Sequence, residues 1–119
     1  MCSSDLIATA AERSHVEAGL ATIGITGQTF ILTCTEVGRD KRFPHIFEEA
    51  LEKLGTPRAS TAVFEDSPTA IATAARCGLF TVSIYDDTFA DREEDKRRIA
   101  DVAVVDWEEL TRTREVRKK

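Results

Sequence analysis

The chain has 119 residues, enough for one domain with a real core but short for a complete α/β enzyme. Its 42% hydrophobic and 31% charged residues are a globular composition, and a net charge of −5 argues against a broad nucleic-acid footprint. No apolar run is long enough for a membrane span or shaped like a signal peptide, which leads to the expectation of a cytoplasmic protein with no membrane partner. Cys2, Cys34 and Cys77 are odd in number and scattered, so reduced thiols are expected rather than a zinc or redox pair.

Residues 1–6, Met-Cys-Ser-Ser-Asp-Leu, read like the translation of a sequencing-library adapter and are expected to be a non-native leader. A short strand follows, Leu6 to Thr9, ending in a hydroxyl. Ser14-His-Val-Glu17 has the spacing of a capping box, Val16, Leu20 and Ile23 form one helical face, and Gly24 is placed to close it. His15 in the first turn, and His45 further on, are expected at the surface. A second strand is predicted over 29–34, then a polar loop over 35–44 that contains Lys41. Pro44 suits a helix start, and Ile46, Phe47, Ala50, Leu51 and Leu54 make an apolar stripe that ends at Gly55 and Pro57.

The run Thr61-Ala-Val-Phe-Glu65-Asp66-Ser67-Pro68 carries the most chemistry. A β-favouring stretch ends in two adjacent carboxylates, Ser67 and Pro68 turn the chain, and a small-residue helix runs to Gly78. Neighbouring carboxylates repel unless a cation lies between them, and Mg²⁺, with its preference for oxygen ligands, suits that position. Phe80 to Ile84 reads as a strand buried on both faces. The charged segment 86–98 reads as an exposed helix laced with ion pairs. Val102 to Val105 is a last strand, with Asp106 capping a turn in which Trp107 and Leu110 pack inward. The alternation of strands and helices predicts an α/β fold with a parallel sheet covered by helices on both faces. In such a sheet the strand carboxyl ends share one edge, so Thr9, Lys41 and Glu65-Asp66 can converge into a site for a phosphate monoester. Thr9 and the following N–H groups, from Ala10 on, would bind phosphate oxygens, and Lys41 would neutralise charge.

These motifs resemble the haloacid dehalogenase-like (HAD) hydrolases of the phosphoglycolate phosphatase and β-phosphoglucomutase-like branch. The carrying residues are Ile7-Ala-Thr9, Glu36 to Phe47, and Val63-Phe-Glu65-Asp66-Ser67 with Ala70-Ile71 and Ala74 to Gly78. The resemblance implies a Rossmann-like core over 7–111, catalytic and phosphate-binding roles for Thr9 and Lys41, and Mg²⁺ at Asp66 and Glu65; the basic cluster at 112–119 reads as a solvated C-terminal tail. It also implies a small phosphorylated metabolite as substrate. The family's Lys-Pro-x-Pro run appears here as Lys41-Arg-Phe-Pro44, followed by His45 in place of a common aspartate. The Asp-x-Asp motif that supplies the nucleophile does not precede Thr9, and the helical cap of this branch is missing too. The expected function is therefore the C-terminal part of a Mg²⁺-dependent phosphatase working through an aspartyl-phosphate, inactive alone. The strands bearing Thr9 and Glu65 should each expose an edge, which favours aggregation or oligomers. The alternatives are a phosphomutase of the same branch, a nucleophile-less Mg²⁺/phosphate-binding or interaction module, and a receiver-like signalling domain.

Overall fold

The computed structural model describes residues 6–22, 24 and 30–105. Residues 1–5 of the expected leader and the expected packing of Trp107 and Leu110 lie outside them, whereas Leu6 is described and opens the first strand. The chain divides into two compact units, Met1–Pro57 and Arg58–Lys119, each with its own parallel ladder.

In the first unit, β1 (Leu6–Thr9) pairs in parallel with β2 (Phe30–Thr33), so that Thr9 stands opposite Thr33 at the carboxyl ends. Helix α1 (Arg13–Thr22) starts one residue before the expected Ser14 cap, and no capping box forms. Arg13 instead turns back to the second strand: its guanidinium donates to the Ile31 carbonyl at 2.7 Å and, through Nε and Nη2, to both oxygens of Glu36 at 2.6 and 2.9 Å. A long cationic side chain that closes a non-local pair outcompetes a local serine cap here. Val16 and Leu20 are half-buried and His15 is exposed.

The second predicted strand ends earlier than expected, because Cys34 opens a one-turn helix, α2 (Cys34–Val37). The Thr33 hydroxyl accepts from the Glu36 amide at 3.1 Å and caps it, and Gly38, at a φ of 90°, closes it. Helix α3 (His45–Leu54) follows Pro44 and buries Ile46 and Phe47, with Leu32 buried in the same unit. His45 is exposed, as expected.

In the second unit the ladder runs β3 (Ala62–Glu65), β4 (Phe80–Ile84), β5 (Val102–Val104), all parallel. Residues 81–84 of β4 are buried, matching the expectation for a strand covered on both faces. Val82, Ile84 and Val104 form a core cluster. Helix α4 (Pro68–Arg76) packs on β3 and β4 and buries Ala70, Ile71, Thr73 and Ala74. Small side chains let this helix approach the sheet closely, and Ile71 fills the remaining depth. Its end is a Schellman turn: Leu79 N–H donates to the Ala74 carbonyl and Gly78 N–H to that of Ala75. Gly78 sits at a φ of 80°, where a Cβ would also meet Arg58 Cδ at 3.2 Å.

The charged segment departs from the expectation. It splits into a 3₁₀ stretch, Asp87–Arg92, and a short helix, α5 (Glu93–Ile99). The expected surface ion pairs are present: Asp95 joins Arg92 at 3.0 Å and Arg98 at 2.6 Å, and Glu93 joins Arg97 at 3.1 Å. Lys96, however, is 0% exposed, so one residue of a highly charged helix faces inward. Neither Cys34 nor Cys77 forms a disulfide.

Ile71→Ala should lower the unfolding free energy of the second unit by about 2–5 kcal/mol, because Ile71 is fully enclosed and its removal leaves a cavity; urea unfolding monitored in that unit measures it. The Arg13 guanidinium, first through its hydrogen bonds, holds the Glu36 carboxyl down at about 2. A depressed carboxylate contributes stability above its ordinary value of 4.5 and loses it as pH falls through about 2. Protection of the α1 amides, measured relative to their intrinsic exchange rates, should accordingly fall as pH drops through that window in the native chain and show no such loss in Glu36→Gln.

Candidate active site

The acidic pair is placed by the geometry of β3. This strand ends at Glu65, directly beside Ser83 of β4, so the chain leaves the sheet with its next side chain, Asp66, at the carboxyl edge. Ser67 then turns the backbone: it lies extended, its hydroxyl accepts from the Ala70 amide at 3.4 Å, and Pro68 starts α4 with a fixed φ. Asp66 is therefore held between a paired strand end and a capped helix start.

The neighbouring strand repeats the arrangement. β4 ends at Ile84, the Tyr85 amide donates to the Val104 carbonyl at 3.0 Å, and Asp86 caps the 3₁₀ stretch by accepting from the Thr88 amide at 2.8 Å. Between these strand ends lies an open groove of about 390 Å³. Glu65, Asp66 and Asp86 line it with Phe64, Ile84, Tyr85 and Val105. Phe64 remains 45% exposed, giving the groove an apolar wall.

Asp86 is a groove residue that the sequence reading did not single out. Its signal was present in the chain: it follows the last residue of a strand, as Asp66 does, but the charged run behind it concealed it. The Thr88 amide and hydroxyl, and to a lesser degree the charge of Lys96, hold the Asp86 carboxyl below the usual carboxylate range. The Tyr85 hydroxyl is pushed above its usual value, chiefly because it hydrogen-bonds to the Asp87 carboxylate and in part by burial.

Of the remaining predicted site residues, Thr9, Ala10 and Lys41 belong to the first unit, and Glu65 and Asp66 to the second. Thr9 ends β1, and its hydroxyl accepts from the Ala11 amide at 3.0 Å, which bends the chain at the exposed Ala10. Lys41 lies half-buried in a turn beyond Gly38, shaped by Asp40, whose carboxylate accepts from the Arg42 amide at 2.9 Å and pairs with the Arg42 guanidinium at 2.8 Å. The two guanidinium groups of Arg39 and Arg42 lie 5.7 and 5.9 Å from the centre of the Phe43 ring. Arg42 stands where the family pattern has a proline after the lysine.

A hard divalent cation needs about six oxygen ligands around one point. Among the described residues, no group of three or more His, Cys, Asp or Glu side chains is arranged to hold a metal ion. Glu65, Asp66 and Asp86 line one groove without converging on a common centre, so these residues do not make a metal site by themselves.

The model of the family described as haloacid dehalogenase-like hydrolase matches residues 6–84, which include Thr9, Lys41, Glu65 and Asp66. The chain is also 32% identical over 79 residues to the validoxylamine A 7'-phosphate phosphatase of Streptomyces hygroscopicus subsp. limoneus; the match covers 66% of this chain and 37% of that protein. Members of this family generally use Mg²⁺. With a family match spanning well over half its length, including the loop after β3, the chain belongs to the haloacid dehalogenase-like hydrolases.

Proposed function

We propose that the chain is the C-terminal part of a Mg²⁺-dependent phosphatase that hydrolyses a small phosphorylated metabolite through an aspartyl-phosphate in the complete protein. The observation that carries this reading is the Glu65-Asp66 pair at the carboxyl end of β3, opening onto a groove and followed directly by a capped helix. That is the rim where parallel α/β sheets place ligands. The similarity to a protein named as a phosphatase of a 7'-phosphate supports a phosphoric monoester as substrate class.

Each residue then has a defined task. The Thr9 hydroxyl and the Ala10 amide hydrogen-bond the phosphoryl oxygens, and the Lys41 ammonium balances the charge that builds there during transfer. Asp66, with Glu65 beside it, would be this chain's contribution to the Mg²⁺ ligands. Bound there, Mg²⁺ would supply charge neutralisation for phosphoryl transfer. The nucleophile, like the substrate-selecting cap, belongs to the rest of the protein, so the chain by itself does not turn over. A reducing, cytoplasmic setting fits thiols that form no disulfide.

The complete reading frame around this chain should encode an Asp-x-Asp strand and release phosphate from monoesters in the presence of Mg²⁺. In that protein Asp66→Asn and Lys41→Ala should each lower kcat on the order of 10²-fold or more. The 119-residue chain alone should release none. Phosphate release by the isolated chain, or full activity in Asp66→Asn, would overturn the assignment.

A further inference from the structure

Lys96 is a charged side chain buried in the second unit. Its ammonium is completely enclosed, and a charge removed from water is destabilising unless it is paired and hydrogen-bonded. Its neighbours on α5 are Arg97 and Arg98, both at the surface, so helical position alone did not require a cation to point inward. A methionine of similar volume would fill the same space without that desolvation.

The contacts of Lys96 are directed at one place. Nζ donates to the Ile84 carbonyl at 2.9 Å and pairs with Glu93 Oε1 at 3.3 Å, and the Phe89 ring centre lies 5.9 Å away. Ile84 is the last residue of β4 and lines the groove, and two residues later the chain presents Asp86 to the same groove. Phe89 lies in the 3₁₀ stretch that Asp86 caps, and Glu93 opens α5 directly after it. A single ammonium therefore joins the end of the strand to both halves of the return path, on either side of the Asp86 turn.

We infer that Lys96 is a positioning residue for the groove: its buried ammonium clamps the Ile84 carbonyl to the Phe89–Glu93 segment and so fixes where Asp86 stands. The inference rests on the phosphatase reading only in taking this groove as the working site. A cation at this point also offsets the carboxylates gathered at the rim, which a neutral hydrogen-bond donor would not do. An arginine retains the charge and the donors, whereas methionine retains only the volume.

The test uses the ¹³C-labelled 119-residue chain and follows the Asp86 carboxyl signal through a pH titration in the native sequence, Lys96→Arg and Lys96→Met. The expected result is an upward shift of the Asp86 midpoint in Lys96→Met and a native midpoint in Lys96→Arg. A lower melting temperature of Lys96→Met with an unshifted Asp86 midpoint would mean that Lys96 only holds the helix down, and would overturn the inference. A second measurement needs no variant: the Lys96 ammonium protons of the native chain should exchange with water far more slowly than those of Lys53, and equal rates would overturn it as well. Neither readout involves phosphate release, so failure here leaves the phosphatase reading standing, and failure of that reading leaves these shifts unchanged.

Discussion

Parallel pairing of β3 with β4 is the constraint from which the rest of the second unit follows. Two strands that run in the same direction in register, Glu65 beside Ser83, must deliver their outgoing chains to the same edge. Each outgoing chain then has to return along a face of the sheet, and α4 and α5 are those return paths. The acidic residues that follow the strands, Asp66 and Asp86, become neighbours of one groove although 20 positions apart in sequence. An antiparallel pair would have sent them to opposite ends.

The two turns at that edge are built by different means. After β3, a serine cap and a proline at the helix start set the path locally, with partners within three residues. After β4, the cap by Asp86 is also local, but the strand end itself is held from a distance by Lys96, 12 residues along the chain from Ile84. A local cap works because backbone donors at a helix start are orphaned whatever the surroundings. A remote lysine works only if the helix that carries it packs in one register, since its ammonium is buried at a net cost unless every contact is made.

The first unit uses the same logic. Arg13 leaves the surface of α1 to hold the Ile31 carbonyl and both oxygens of Glu36, and so joins a helix, a strand and the following one-turn helix. The bidentate geometry of a guanidinium suits this task, because one planar group can satisfy a carboxylate and a carbonyl together. Thr33 completes the junction by capping the turn that Glu36 belongs to. Charged side chains, rather than a large apolar core, therefore set the strand ends in both units.

The sequence by itself determined the parallel α/β pattern, the positions of the strands near Thr9, Glu65 and Ile84, the helix from Pro68 to the glycine turn at Gly78, and the placing of Glu65 and Asp66 at the end of a strand. All of these depend on local signals: β-branched runs, a cap beside a proline, and a glycine at a positive φ. The tertiary structure alone decided the fate of Ser14, Cys34, Asp86 and Lys96. Ser14 lost its expected cap because Arg13 found distant partners, and Cys34 left its strand because Thr33 capped a turn. Asp86 joined the groove, and Lys96 was drawn inside from a run of charges that reads as solvated, because burial and pairing depend on what packs opposite, and that is absent from any window of sequence.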